Sequence, residues 1–310
     1  MNETCVYMGV DISKDSLDLW GSSGRPGKYV NNKTGCRTLV CRLKKIERVH
    51  VTCEATGGYE RMLVDALQAA GIDVSLVNPR QVRDFARAQG RLAKTDRLDA
   101  QVLAEYGEAM RPKVTPPRSK AHRQIEEVVQ RRRQLVDMLQ MERCRLRQTA
   151  DPAMRKSIKG LVRILETQIK NAERRMRQLM EDVPALKQAV TRLCEIKGIG
   201  MISALSLLAF MPELGSLNRA QAAALAGVAP FNRDSGTFRG RRIIWGGRAA
   251  VRATLYMVAL VASRRNPLFS EFYQQLRKRG KQAKVALVAV MRKMIIYINS
   301  IMKEELPAFS

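Results

Sequence analysis

The sequence predicts an α/β region over residues 1–111, followed by segments that are helical only. Up to residue 77, short apolar runs alternate with helical segments, which is the pattern of a central sheet covered by helices. Three prolines between Pro112 and Pro117 mark a linker, and beyond them the apolar residues recur at helical spacing. We therefore predict three domains, at residues 1–111, 112–185 and 186–310.

Acidic residues lie at the ends of the two most apolar strands. Cys5–Asp11 and Val49–Glu54 each finish on a carboxylate, and strand ends are where α/β sheets place their ligands. A helix is predicted from Asp96 to Met110, and its Asp96 and Asp99 project from one face because they are three residues apart. Hard oxygen ligands from separate elements suit Mg²⁺ or Mn²⁺, so these four acids are candidate metal ligands.

Each acid also has a plain structural interpretation. An aspartate after a strand often forms a turn, and Asp96 could cap its own helix. The joint pattern favours the metal site because the chain is strongly basic, and carboxylates that hold a divalent ion can act on a polyanion.

The charge of the chain indicates the kind of partner. It carries 55 Lys and Arg against 29 Asp and Glu, a net charge of +26. Such an excess favours nucleic acid, whose counterions are released when cations neutralise its phosphates. The longest uninterrupted apolar runs, such as Met201–Met211, are too short to cross a bilayer, so we expect no membrane partner. Six cysteines without a CxxC pair and only two histidines argue against zinc.

The middle of the chain predicts a helical hairpin. From Ile158 to Val183 apolar residues follow an unbroken four-three repeat, the signature of a coiled-coil seam. An earlier and poorer repeat is interrupted by Arg132 and Glu142, and Asp151-Pro152 separates the two segments. The hairpin is either a spacer within one chain or an oligomerisation element, since heptads do not say where the partner helix comes from.

Two glycine-containing segments follow. Ile196–Gly200 (IKGIG) looks like a helix-hairpin-helix turn, whose Lys197, Gly198 and Gly200 would contact a phosphate. A plain glycine turn between packed helices explains the same pattern.

The other segment places a hydroxyl among guanidinium groups. Ser235 lies between Arg233 and the run Arg239, Arg241 and Arg242, so it could be a nucleophile beside a bound phosphate. Most serines in such loops only form turns, and the residues alone favour that interpretation.

Taken together, these motifs resemble the IS110/IS1111 family of insertion-sequence transposases, described as bridge-RNA-guided recombinases, and the related Piv-type DNA invertases. The resemblance runs nearly from end to end. It is carried by GVDISKDSLD from Gly9, CEATGGYE from Cys53, NPRQVRDFARAQGRLAKTDRLDA from Asn78, IKGIG from Ile196 and AGVAPFNRDSGTFRGRR from Ala226.

The resemblance implies a fold and a chemistry. Residues 1–111 would be a RuvC-like (RNase H fold) domain, residues 112–185 a linker and α-helical coiled-coil arm, and residues 186–310 a mainly α-helical C-terminal transposase domain. The family's DEDD acids fall on Asp11, Glu54, Asp96 and Asp99, and its nucleophilic serine falls on Ser235. The implied reaction cuts and rejoins DNA through a covalent phosphoserine, with Mg²⁺.

The implied partners are double-stranded donor and target DNA, a non-coding bridge RNA, and further copies of the chain as a dimer and, in the synaptic complex, a tetramer. The implied location is the prokaryotic cytoplasm, in association with the nucleoid. One alternative is a RuvC-type nuclease or resolvase that uses water and leaves Ser235 structural. A non-catalytic RNA-binding or architectural protein is an alternative of a different class.

Overall fold

Residues 5–21, 26–91, 96–231 and 242–303 are described by the computed structural model of the chain, except for the side chains of residues 96–98. The chain divides into two units, Met1–Pro117 and Arg118–Ser310.

The N-terminal unit is built on a mixed five-stranded sheet with the order β3-β2-β1-β4-β5. β1 pairs in antiparallel fashion with β2 and in parallel with β4, while β5 continues the parallel part. This confirms the predicted α/β region. In chain order its elements are β1 (Val6–Ile12), β2 (Ser16–Gly21), β3 (Gly27–Val30), α1 (Lys33–Leu43), β4 (Val49–Glu54), α2 (Arg61–Ala69), β5 (Asp73–Val77), α3 (Pro79–Ala88) and α4 (Asp96–Met110).

Both faces of the central strands are covered. Met8, Val10 and Ile12 of β1 point into one core, which they share with the buried leucines of α1 and α2. The alternate residues of β1 point to the opposite face, where α4 lies across β1 and β4. The parallel strand β4 reads as a continuous apolar run because it is buried on both faces.

The contact between α4 and the sheet is a close approach of two backbones. A β-carbon at Gly9 would lie 2.1 Å from the carbonyl oxygen of Ala100 and 2.4 Å from the amide nitrogen of Ala104. On the helix side, a β-carbon at Gly107 would lie 2.4 Å from Oγ1 of Thr52. Glycine is therefore required at both positions, and the two contacts fix where α4 lies on the sheet.

The loop that follows β4 is held by Glu60. One carboxylate oxygen, Oε2, accepts hydrogen bonds from the amide of Thr56 (3.1 Å), the hydroxyl of Thr56 (2.9 Å) and the amide of Gly58 (2.8 Å). Burial alone would raise the pKa of the Glu60 carboxyl, but these hydrogen bonds outweigh it and hold that pKa below its ordinary value. The ionised form of Glu60 therefore stabilises the loop.

The C-terminal unit is helical apart from two very short strands. It contains α5 (Lys120–Gln148), α6 (Pro152–Glu181), α7 (Pro184–Cys194), α8 (Met201–Phe210), α9 (Arg219–Leu225), β6 (Pro230–Phe231), β7 (Ile243–Ile244), α10 (Ala249–Arg265), α11 (Pro267–Lys278) and α12 (Ala283–Met302).

The two long helices α5 and α6 form the predicted hairpin, and Asp151 caps the start of α6 by accepting from the amide of Met154. Leu135, Leu139 and Leu165 form one buried cluster of the seam. The polar interruption at Arg132 is explained by an ion pair across the hairpin with Glu173, at 2.8 Å. The other interruption, Glu142, is buried and pairs with Arg145 one turn later on the same helix.

The core of this unit joins the hairpin to the later helices. Ile125 and Val129 of α5, and Met176 and Leu179 of α6, lie in the same apolar cluster as the buried residues of α7 to α12. The predicted boundary at residue 186 therefore stays a prediction, because the ends of the hairpin and the helices that follow share one core.

Within the described residues, α12 is long and apolar enough to cross a membrane by length and composition. The sequence analysis considered uninterrupted apolar runs only, and Lys284, Arg292 and Lys293 interrupt this helix. Half of its most apolar window is buried, and Val290, Met294 and Ile298 lie in the core of the unit.

A substitution at Gly9 tests the packing of α4. We expect Gly9→Ala to lower the free energy of unfolding by about 3 kcal/mol, because the added methyl group meets backbone atoms that cannot rotate away. Gly160→Ala in α6 is the matched control, since a β-carbon there meets nothing within 4 Å, and we expect it to raise stability by about 0.5–1 kcal/mol. Urea denaturation measures both, and equal stability of the two variants would contradict the packing described.

The pH dependence of stability tests Glu60. Because its pKa is lower in the folded chain, ionised Glu60 contributes stability above its ordinary pKa, and this contribution is lost as the pH falls through the folded value. We expect Glu60→Gln to cost about 1–2 kcal/mol at neutral pH. The difference from the parent chain should shrink progressively below about pH 4. Urea denaturation from pH 7 to pH 3 measures it, and a difference that does not change with pH would contradict this role.

Candidate active site

Two of the four predicted acids lie side by side on the central strands. Val10 pairs with Cys53 in the parallel register of β1 and β4, so Asp11 and Glu54 are the next residues along both strands. Neighbouring strands are about 4.8 Å apart, which sets the spacing of the two backbones. Glu54 is the last residue of β4, as predicted. Asp11 is not the last residue of β1, since the strand continues through Ile12.

Both acids face α4. Asp11 alternates with the buried Val10 and Ile12, so it shares the face of Gly9, which α4 covers. By the same alternation, Glu54 shares the face of Thr52, which touches α4 at Gly107. The helix thus lies over the face of the sheet from which both carboxylates project.

The direction of α4 brings its first turn to these acids. Gly107 lies near Tyr7, whereas Ala100 and Ala104 lie over Gly9, so the helix runs antiparallel to β1. From Gly9 to Asp11 the strand advances about 6.6 Å, which equals roughly four residues of helix at 1.5 Å each. Asp96–Asp99 is therefore at the level of Asp11. Packing of the backbone, rather than the acids themselves, brings this segment to the strand ends.

The structure describes the side chains of three of the four predicted acids. The side chain of Asp96 lies outside the described residues, and Asp11, Glu54 and Asp99 each already have an interaction partner. Among the described side chains, no three His, Cys, Asp or Glu are grouped as metal ligands. The donor chemistry fits a hard divalent cation, and the described side chains do not by themselves form its ligand set.

A further acid on this face was missed by the sequence reasoning. Asp18 of β2 is the register partner of Asp11, so their side chains project to the same face of the sheet. Its carboxylate accepts from the hydroxyl of Ser16 at 3.0 Å and pairs with Lys28 at 3.5 Å. The sequence does contain a signal for Asp18, because polar and apolar residues alternate in Ser16–Gly21 and its polar residues all fall on one face.

Burial and two nearby acids change the pKa of Cys53, the thiol next to Glu54. Burial, followed by the charges of Glu60 and Glu54, raises the pKa of Cys53 to about 12. Cys53 is therefore a neutral core thiol and not a nucleophile.

Glu60, which the sequence reasoning did not single out, anchors the loop between Glu54 and α2. A second acid six residues after Glu54 was the available signal.

A second tie joins this loop to the turn between β1 and β2. The side-chain amide of Asn31 donates to the carbonyl of Ser13 at 2.8 Å and to the carbonyl of Tyr59 at 3.2 Å. Ser13 follows Asp11 by two residues, and Tyr59 lies in the loop after Glu54. Asn31 therefore holds together the loops on either side of the two strand-end acids.

The predicted turn at residues 196–200 joins α7 to α8. Gly198 has a φ of +113°, and a β-carbon there would lie 3.0 Å from Cβ of Ala262 in α10. Packing therefore accounts for Gly198. Lys197 and Gly200 are exposed, and Gly200 caps α8 without a side-chain hydrogen bond. This packing does not test contact of the backbone amide with a phosphate, so Lys197, Gly198 and Gly200 stay predicted phosphate contacts.

The segment with the predicted nucleophile lies mostly outside the described residues. Ser235, Arg233, Arg239 and Arg241 belong to residues 232–241, which the structure does not describe, whereas Arg242 is described and exposed. The two ends of the segment form the short antiparallel pair β6 and β7. These strands were not predicted, because two residues carry no alternation pattern.

Comparison with known proteins identifies the chain's relatives. The DEDD-type IS110 transposase model matches residues 8–154, and the model of the IS116/IS110/IS902 transposase family matches residues 190–274. The chain is also similar to pilin gene-inverting proteins of Moraxella lacunata and Moraxella bovis. Each is 26% identical over 313 residues, covering 97% of both chains.

The first match contains Asp11, Glu54, Asp96 and Asp99, and the second contains Lys197 and Ser235. Both models describe transposases of the same kind, and together they account for both units. The chain therefore belongs to the IS110 family of transposases.

Proposed function

We propose that this transposase cuts and rejoins DNA strands through a phosphoserine formed at Ser235, with a divalent metal held by Asp11, Glu54, Asp96 and Asp99, and with a non-coding RNA as guide. One observation carries the proposal. The first turn of α4 reaches the adjacent strand ends of β1 and β4 because Gly9 and Gly107 admit close packing. A mixed sheet with acids at the carboxyl ends of its central parallel strands also supports the RuvC-like assignment.

A metal at these acids would polarise the scissile phosphate and stabilise developing negative charge. Mg²⁺ or Mn²⁺ suits carboxylate oxygens. The residues of the chain do the positioning: Asp11 and Glu54 are set by strand register, and Asp99 is set by the packing of α4. Asn31 and Glu60 hold the loops beside them.

The proposed covalent step exchanges one ester for another. Oγ of Ser235 forms a bond to phosphorus, the hydroxyl proton leaves, and one bridging P–O bond breaks to release a strand that ends in a hydroxyl. A hydroxyl at the end of a DNA strand then attacks the phosphoserine. This step forms a new phosphodiester, breaks the bond between phosphorus and Oγ of Ser235, and returns the proton to the serine. The phosphodiester is conserved throughout, so rejoining needs no nucleotide cofactor. Inversion of a gene, which the names of the Moraxella relatives describe, needs cutting and rejoining of this sort.

The distribution of charge supports a proposal that most of the nucleic-acid contact is made by the C-terminal unit. Residues 118–310 carry 37 Lys and Arg against 15 Asp and Glu, so they hold +22 of the net +26. Contacts of this kind go mainly to phosphates and depend on salt. The candidate phosphate contacts are Lys197, Gly198, Gly200, Arg233, Arg239, Arg241 and Arg242.

We also propose that the working form is a homo-oligomer in the prokaryotic cytoplasm. Support comes from the hairpin, where Met138 and Met141 of α5 and Leu161 and Ile164 of α6 are exposed. Each of these four residues comes one residue before a position that faces the other helix of the hairpin. In an antiparallel pair of helices, such residues from both helices lie on the same side of the pair. An apolar strip of this kind suits contact with another helix.

Trapping of a protein–DNA adduct tests the serine mechanism. Duplex DNA carrying the element's own ends is incubated with the chain, its co-expressed flanking RNA and Mg²⁺, then run on a denaturing gel. We expect Ser235→Ala to abolish the adduct, and Asp11→Asn to lower its yield by roughly 100-fold or more. Ser157→Ala and Asp137→Asn, both at exposed positions of the hairpin, are the matched controls and should leave the yield unchanged.

The same gel separates the alternatives. Mg²⁺-dependent cleavage without any adduct, retained by Ser235→Ala, would favour a RuvC-type nuclease or resolvase that uses water. Binding of nucleic acid with no cleavage under any condition would favour an architectural or RNA-binding protein and contradict the proposal.

The guide is tested by the RNA that co-purifies with the chain. We expect expression together with the element's flanking DNA to yield one discrete RNA, encoded in that DNA, which survives washing at moderate salt. Sequencing identifies it, and its loops should be complementary to the DNA ends and the target. Recovery of only heterogeneous host RNA would argue against a dedicated guide.

A further inference from the structure

The segment that carries Ser235 leaves and enters the fold through a weak ribbon. β6 and β7 pair over two residues each, Pro230 with Ile244 and Phe231 with Ile243. Phe231 and Ile243 are exposed. An isolated two-stranded ribbon of this length has little stability of its own, so its two strands must be held by the contacts at the foot of the ribbon, where the chain enters β6 and leaves β7.

At the foot, two backbones touch. A β-carbon at Gly247 would lie 2.2 Å from the amide nitrogen of Gly227 and 2.3 Å from its Cα. Both glycines have a φ of +68°, a conformation that other residues rarely adopt. The chain before β6 and the chain after β7 are therefore in direct contact, and the contact leaves no space for side chains.

Arg248, the next residue, ties this foot to the surrounding helices. Its guanidinium donates two hydrogen bonds of 2.6 Å to the two carboxylate oxygens of Glu213, in a bidentate fork. It also donates to the carbonyl of Phe210 at the end of α8, at 3.0 Å. Its backbone amide donates to the carbonyl of Leu225 at the end of α9, at 2.7 Å. One residue thus fixes the start of α10 to two other helix ends.

The electrostatics agree with this geometry. Burial would raise the pKa of the Glu213 carboxyl, but the hydrogen bonds and charge of Arg248 outweigh burial and lower it. Both side chains of the pair are about one-third exposed, 35% for Arg248 and 33% for Glu213. A forked pair fixes orientation as well as distance, which a lysine cannot reproduce.

We propose that Arg248 and Glu213 are positioning residues for strand transfer. Their pair fixes the foot of the ribbon, where Gly227 contacts Gly247, and Ser235 lies in the segment between the two strands of that ribbon. This inference rests on the proposed phosphoserine mechanism. A serine hydroxyl reacts only when it is held close to phosphorus and in line with the leaving oxygen. β6 and β7 lead into and out of the segment with Ser235, so movement at the foot of the ribbon shifts both ends of that segment.

The test uses conservative variants of the full chain, so that folding is preserved. Arg248→Lys keeps the charge but loses the fork, and Glu213→Gln keeps the size but loses the charge. Arg143→Lys is the matched control, because Arg143 forms an exposed ion pair with Glu166 at 2.8 Å in the hairpin, away from the ribbon. The DNA probe is the duplex with the element's ends, in the presence of its flanking RNA and Mg²⁺.

Three quantities are measured: the rate of adduct formation, the affinity for the same duplex, and hydrogen exchange of the amides at residues 231 and 243–247. We expect both variants to slow adduct formation at least tenfold, to change affinity less than twofold, and to speed exchange at the ribbon. The double variant should be no slower than the slower single variant, because the two residues act as one unit. Arg143→Lys should match the parent chain in all three.

Unchanged adduct rates in both variants, or equal losses of affinity and rate, would overturn the inference. Exchange needs no catalysis, so it gives an answer even where the chain forms no adduct. In that case the proposed phosphoserine mechanism fails, and unchanged exchange in the variants would show that the pair does not hold the ribbon either.

Discussion

The close packing of α4 against β1 is the constraint on which the acidic site depends. Gly9 and Gly107 remove the two side chains that would otherwise hold helix and sheet apart. Strand register then sets Asp11 beside Glu54, and the direction of the helix brings its first turn to the same level. Apolar residues on the other face of the sheet form the core with α1 and α2. Like-charged carboxylates repel one another, so they need other interactions to hold them close together. Here backbone packing, which does not depend on their charge, supplies those interactions.

Sequence patterns predicted the elements of this site well and its anchors poorly. Glu54 could be placed at a strand end and Asp96 at a helix start because apolar runs and helical spacing are strong local signals. Asp18 escaped because its strand is amphipathic, so an acid there looks like an ordinary solvent-facing residue. Glu60 and Arg248 escaped because their roles depend on hydrogen bonds that a loop conformation creates.

Glycines show the same limit of local patterns. In the 196–200 turn both glycines have the same predicted role, and the sequence pattern did not reveal that Gly198 also packs against Ala262 while Gly200 faces open space. The difference arises from α10, which lies more than fifty residues further along the chain. Likewise, Arg132 interrupts the heptad pattern in the sequence, but in the hairpin it is satisfied by Glu173. Long-range partners decide the meaning of such residues, and a single sequence does not reveal them.

The acids and the serine-bearing ribbon are anchored by different physical means. Backbone packing at Gly9 is insensitive to ionic strength, whereas the fork between Arg248 and Glu213 is about one-third exposed and is partly screened by salt. The proposed phosphate contacts of the basic C-terminal unit would weaken with salt more steeply, because each would release counterions. We therefore expect salt to act first on the proposed DNA contacts, next on the foot of the ribbon, and least on the position of the carboxylates. In the proposed reaction, the alignment of the ribbon thus depends on side chains at its foot, namely the pair of Arg248 with Glu213 and the hydrogen bond from Arg252 to the carbonyl of Gly246 at 2.6 Å.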